Sequence, residues 1–182
     1  MQKDHAHSFA QRKDAHLFMV VNAKPDSHLG ADDFNLLADR LCANFCAQRG
    51  SPADNAMRSV LMRRWEEVVK ADANGDGEVT IDEWHAFRSS KRQGKTPTSF
   101  FKDYAKALFG LASVMQGGVF NEAAMRALVM SYNGVDVDVE LLFRLLSKDT
   151  GAVSQDDLEQ ILARYVESHD PSDPANYVFG NF

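Results

Sequence analysis

Between Asp72 and Glu83 the chain reads Asp72-Ala73-Asn74-Gly75-Asp76-Gly77-Glu78-Val79-Thr80-Ile81-Asp82-Glu83, and no other stretch limits the fold so tightly. Asp72, Asn74 and Asp76 put side-chain oxygens at the first, third and fifth places. Glu78 offers its backbone carbonyl at the seventh, and Thr80 stands at the ninth for direct or water-mediated contact. Glu83 closes the stretch with a carboxylate able to bind through both oxygens, and Gly77 permits the sharp turn at the sixth place. Carboxylates crowded in this way repel one another unless they share a cation, so the spacing describes a ring of hard oxygen donors.

This is the pattern of an EF-hand calcium loop, with Asp72, Asn74, Asp76, Glu78, Thr80 and Glu83 as the metal-ligating set. Ca²⁺ is the expected ion, with Mg²⁺ taking the site in its absence. Such a loop needs a helix on each side. Asp54 or Asn55 can cap an entering helix whose apolar face is Met57, Val60, Leu61, Trp65, Val68 and Val69. The segment from Ile81 to Arg92 then predicts an exit helix with Trp84 and Phe87 inward.

The helix, loop, helix plan recurs three more times with poorer loops. Helices over Ser8 to Val21 and Asp32 to Cys46 flank residues 22–33, where Leu29 takes the apolar eighth place as Val79 does in the strong loop. Lys24 sits at the third place, and an ammonium there opposes metal binding, although Asn22, Asp26 and Asp33 keep part of the pattern. A helix from Ser99 to Leu111 leads to residues 112–123, whose ligand places hold Ala112, Val114 and Ala123, with Gly117 sixth and Val119 eighth. After helices over Glu122 to Tyr132 and Val137 to Leu146, residues 147–157 offer Gly151, Val153 and Asp157 but run one residue short. A last helix carries Leu158, Ile161, Leu162 and Tyr165. The expected architecture is all-α: four EF-hand-like units in two pairs packed into one compact domain. Residues 1–93 form one pair and residues 94–182 the other, with a polar linker from Lys91 to Thr98 containing Gly94 and Pro97, and a tail over 169–182. The degenerate loops are expected to hold no metal, and Leu29 is expected to pair with Val79, so that the first loop serves as scaffold.

At 45% hydrophobic residues the chain can bury a core, which excludes a disordered protein. A net charge of −6 without a long basic run argues against nucleic acid as a partner. No apolar stretch reaches the roughly 18 residues that span a bilayer, and a monomeric cytoplasmic protein is the expectation. Cys42 and Cys46 sit four apart on one predicted helix, a poor geometry for a disulfide, and are read as reduced thiols. No catalytic constellation is readable: His5, His7, His16, His28, His85 and His169 are scattered, so the protein is not expected to be an enzyme.

The four units, the strong loop followed by Trp84, Asp33-Phe34 with Leu37-Ala38-Asp39-Arg40, and the ending Asp170-Pro171-Ser172-Asp173-Pro174-Ala175-Asn176-Tyr177-Val178-Phe179-Gly180 resemble the sarcoplasmic calcium-binding protein family. Calexcitin and calerythrin-type proteins are the nearer relatives within it. The resemblance implies two EF-hand pairs around an apolar interior, a tail folded back over them, and a calcium sensor or buffer. Family members usually keep two or three working loops, whereas one is found here, which makes a weak buffer.

The architecture is also similar to that of the calcium-regulated photoproteins and luciferin-binding proteins, which hold an aromatic small molecule between the pairs. Trp65, Trp84, His85, Tyr104, Tyr132 and Tyr165 could line such a space. The alternative reading is therefore a carrier of an apolar small molecule with calcium as clamp or trigger. A protein partner docking on a groove opened by calcium is a third.

Overall fold

The computed structural model describes residues 8–24, 26–93 and 99–181. Expectations at His5, His7, Pro25, the linker residues Gly94 and Pro97, and Phe182 lie outside these residues.

Eight α-helices account for most of the described chain: α1 (Phe9–Val21), α2 (Ala31–Asn44), α3 (Pro52–Val68), α4 (Ile81–Gln93), α5 (Ser99–Gln116), α6 (Glu122–Ser131), α7 (Val139–Ser147) and α8 (Gln155–Glu167). The strands among the described residues are β1 (His28–Leu29) and β2 (Val79–Thr80), which pair antiparallel with His28 opposite Thr80 and Leu29 opposite Val79. Local chemistry sets most helix starts. Ser8 caps α1 in a reciprocal box with Gln11, and Asn121, Asp138 and Ser154 cap α6, α7 and α8 through their side chains. Helix α3 begins earlier than expected. Ser51 is its cap and Pro52 its first residue, where a missing N–H costs nothing.

The helices pack as two pairs that share one core. In the first half α1 lies on α4 and α2 on α3; in the second, α5 lies on α8 and α6 on α7. Contacts of α3 with α5 and of α2 with α6 join the halves. Phe45 of the first half and Phe120 of the second are both fully buried, with ring centroids 6.4 Å apart. The inward faces expected on α3, α7 and α8 are buried, apart from Val69, which is half-buried beyond the end of α3.

The third loop departs from expectation. Helix α5 runs on to Gln116 and so absorbs the first five residues of the 112–123 stretch. With no ligand oxygens to turn inward, and with Leu111 and Ala112 fully buried, the helical period continues until Gly117 and Gly118, both in the left-handed region. The pairing across the second half joins Phe120, not Val119, to Val153.

The tail folds back as expected from the family resemblance. Val178 is fully buried, and the Phe179 ring lies 4.4 Å from that of Tyr132 and 4.7 Å from that of Tyr165, centroid to centroid. Tyr177 is partly exposed. The fit requires glycine on both sides. A Cβ on Gly134 would stand 3.2 Å from the Gly180 Cα and 2.5 Å from Val129 Cγ1, and Gly180 itself has a φ of +104°.

Candidate metal loop and the helix that backs it

Residues 72–78 form a loop, exposed from Ala73 onward, that β2 and the first turn of α4 complete, and its polar side chains bind its own backbone. Asp72 accepts the N–H groups of Gly75 at 2.7 Å and Gly77 at 2.8 Å, one on each carboxylate oxygen. Those two glycines have φ near +80°, the region that side-chain-bearing residues avoid. Asn74 accepts from the Asp76 N–H and donates its amide to the Asp76 carboxylate, while Asp76 accepts from the Glu78 N–H. Asp72, Asn74 and Asp76 are thus brought together by a chain of short turns.

Glu83 ties the two ends of the loop. One carboxylate oxygen accepts the Ala73 N–H at 2.9 Å; the other accepts both the N–H and the hydroxyl of Thr80 at 2.8 Å. The Thr80 hydroxyl oxygen in turn accepts the Glu83 N–H, the reciprocal arrangement of a helix-capping box. Three hydrogen bonds to the ionised carboxylate hold the Glu83 pKa below its ordinary value. Glu78 turns its side chain outward, 3.7 Å from His28 Nδ1, so its place in the set rests on its backbone carbonyl.

Among the described residues no three His, Cys, Asp or Glu side chains form a preassembled metal cluster. In this loop two of the six candidate donors are Asn74 and Thr80, a third is a carbonyl, and the carboxylates are engaged with N–H groups along the loop. The donor chemistry nonetheless suits a hard divalent cation: every group is an oxygen, three are carboxylates, and no soft ligand intrudes.

The other loops differ in kind. In residues 22–33 Asp33 repeats part of the Glu83 role, accepting from Ala23, Lys24 and Gly30 N–H groups. Lys24 turns away to Asp32 at 3.0 Å, and the Asn22 carboxamide oxygen is buried without a hydrogen-bond partner. In the fourth loop Lys148 and Asp149 both adopt positive φ, and Asp157 binds Ser154 at the start of α8.

Behind the strong loop, α4 docks on α1 through charges that sequence reasoning missed. Trp84 donates its indole N–H to the Asp14 carbonyl at 2.8 Å, and Arg88 Nε donates to the Asp14 carboxylate at 2.9 Å. Both members of that ion pair are buried, and desolvation lowers the Arg88 pKa to about 10. Lys13, also buried, donates to the Ser168 carbonyl and to Asn176 Oδ1. A signal was present: Asp14 stands on the same helical stripe as Leu17, Phe18 and Val21, as Arg64 does with Leu61 and Val68 and Arg88 with Trp84. A charge on an apolar stripe is desolvated and needs a partner within reach, Asp14 for Arg88 and the half-exposed Glu67 for Arg64.

Between the halves lies a cavity of about 50 Å³ lined by Trp84, Tyr104, Tyr132, Phe179 and the buried guanidinium groups of Arg64 and Arg88, with aliphatic and phenyl side chains. The Tyr104 and Tyr132 hydroxyls hydrogen-bond at 2.7 Å. Trp65, His85 and Tyr165, expected on the same wall, do not line it.

A helical protein of four EF-hand-like units in two pairs, with one complete loop, is the class that this fold and site define. No family model matches the chain. It is 25% identical over 166 residues to the sarcoplasmic calcium-binding protein beta chain of Penaeus sp., covering 85% of this chain and 86% of that one. The solved structure of a sarcoplasmic calcium-binding protein from amphioxus superposes with a TM-score of 0.72 at 17% identity, covering 97% and 98% of the two chains. The coelenterazine-binding protein of Renilla muelleri, in its calcium-loaded apo form, gives a TM-score of 0.69 at 12% identity over 96% of each chain. The family resemblance drawn from the residues, to sarcoplasmic calcium-binding proteins, is supported by these relatives.

Proposed function

We propose that the protein is a calcium-binding EF-hand protein with one strong site, held by Asp72, Asn74, Asp76, Glu78, Thr80 and Glu83, and that it acts in the cytoplasm as a sensor or weak buffer. The observation that carries the reading is the position of Glu83, whose carboxylate reaches Ala73 at the head of the loop and Thr80 at its foot. Two free cysteines without a disulfide fit a reducing compartment. The Penaeus relative supports the reading through its name, which describes calcium binding.

The residues act by charge. Asp72, Asp76 and Glu83 repel across the loop, and a bound cation supplies the positive charge that makes their approach favourable. Glu83 opens the first turn of α4, so whatever fixes its carboxylate also fixes that helix. Three carboxylates with Asn and Thr suit a dissociation constant of about 10⁻⁷ to 10⁻⁵ M. Isothermal titration should give one strong Ca²⁺ site per chain, nearly abolished in Glu83→Gln. Two or more strong sites, or a Glu83→Gln protein that binds as the wild type does, would overturn this assignment.

The second reading, a carrier of an apolar small molecule, is favoured by the interior cavity and its polar handles Trp84, Tyr104 and Tyr132. Its volume of about 50 Å³ falls well short of the roughly 300 to 1,000 Å³ of a ligand pocket, so a guest would have to part the core. Native mass spectrometry of fresh protein decides: a retained organic mass supports the carrier, and a clean protein or calcium-only mass removes it.

A further inference from the structure

We propose that α1 couples the Asp72–Glu83 loop to the C-terminal tail, so that calcium in the loop and docking of the tail favour one another. The proposal rests on the calcium reading of that loop. Two adjacent residues of α1 face two different elements. Asp14 takes the Trp84 indole N–H on its carbonyl and Arg88 on its carboxylate, both from the helix that Glu83 begins. Lys13 reaches the end of α8 and the tail, at the Ser168 carbonyl (3.0 Å) and Asn176 Oδ1 (2.8 Å). One turn on, His16 Nε2 is 2.8 Å from the Phe179 carbonyl. The Lys13 carbonyl accepts from the Tyr165 hydroxyl, which closes the connection onto α8.

These contacts leave little slack. Lys13, Asp14 and Arg88 are each less than 5% exposed, so sliding α4 along α1 would strand buried charges. The tail is equally constrained, since a Cβ on Gly180 would meet His16 Nε2 at 3.2 Å. A shift of α4 must therefore carry α1 with it or break the Asp14 pair, and a shift of α1 disturbs every tail contact named. The sign follows from this chain of contacts. A cation that holds Glu83 in its loop-closing position holds α4, which through the Asp14 pair holds α1 in the place where Lys13 and His16 meet the tail. By linkage, removing the tail contacts must weaken the cation site by the same factor.

The test is hydrogen exchange of the full chain, with Ca²⁺ and with chelator, read by mass spectrometry and paired with calorimetry. Chelation should speed exchange at the tail amides of Asn176, Val178 and Gly180 as well as in the loop. Lys13→Met should loosen the tail, weaken Ca²⁺ binding by about fivefold or more, and in chelator speed exchange of the Ala73 and Thr80 amides that Glu83 holds. Asn176→Ala, which removes the same contact from the tail side, should act in the same direction if Lys13→Met fails to fold. Tail exchange indifferent to calcium while the loop binds it would overturn the coupling. So would a loosened tail with wild-type calcium affinity and wild-type exchange at Ala73 and Thr80. A failure of the calcium reading is separate: calorimetry would then show no binding, while the metal-free exchange at Ala73 and Thr80 still decides the mechanical link.

Discussion

Leu29 and Val79 stand opposite each other in the antiparallel pair that joins the first two loops, and neither exposes any surface. The degenerate loop thus braces the complete one. Leu29→Ala would open a cavity that the fixed register cannot close, and should cost about 2 to 5 kcal/mol. Urea unfolding measures it, and calorimetry should show weaker Ca²⁺ binding although no ligand was touched. A loss below about 0.5 kcal/mol, the usual range for a surface change, would contradict the brace.

The first loop retains enough geometry for repair. Asn22 has a buried oxygen without a hydrogen-bond partner, and Asp33 already gathers three N–H groups, where Glu83 gathers two and the Thr80 hydroxyl. Lys24→Asp replaces an ammonium by a carboxylate at the third ligand place and should add a second, weaker Ca²⁺ event to the titration curve. An unchanged single-site curve would show that charge at Lys24 is not what silences the loop.

His16 makes stability depend on pH. Burial lowers its folded-state pKa, only partly offset by its contact with the Phe179 carbonyl. The unfolded chain takes up a proton near pH 6.5 that the folded chain resists, so the contribution is complete above about pH 6.5 and declines as pH falls below it. Denaturant midpoints at pH 7.5 and 5.5 should differ in the wild type and differ less in His16→Gln. Equal losses in both would place the effect on other histidines.

The two thiols should react at different rates. Cys46 is exposed, while burial, together with the hydrogen bond to Asp54, raises the Cys42 pKa to about 12. Ellman's reagent at pH 8 should modify one thiol at once and the second only in denaturant. Two fast thiols would mean that α2 opens away from α3 in solution.

Legibility followed locality. The helical stripes of α3, α7 and α8 and the pairing of Leu29 with Val79 could be read directly, because each depends on spacing within a short segment or on a repeated motif. In the third loop spacing puts Val119 at the eighth place, whereas its neighbour Phe120 makes the pairing, since a loop stripped of oxygens leaves only glycine and apolar periodicity to fix its register. That α5 runs past the expected loop start follows from the burial of Leu111 and Ala112, a neighbour effect that no local motif carries, whereas its end falls at Gly117 and Gly118.

The amino-acid sequence by itself determined the class of fold and the spacing of the oxygen-bearing residues from Asp72 to Glu83, because helical periodicity and residue spacing are properties of the chain alone. Only the tertiary structure decided that Lys13 and Asp14 are buried, that they join α4 to the tail, and that the space between the halves is nearly filled. Burial of a charge depends on a partner distant in sequence: Arg88 for Asp14, Asn176 for Lys13. Desolvation is repaid only where packing brings such partners together.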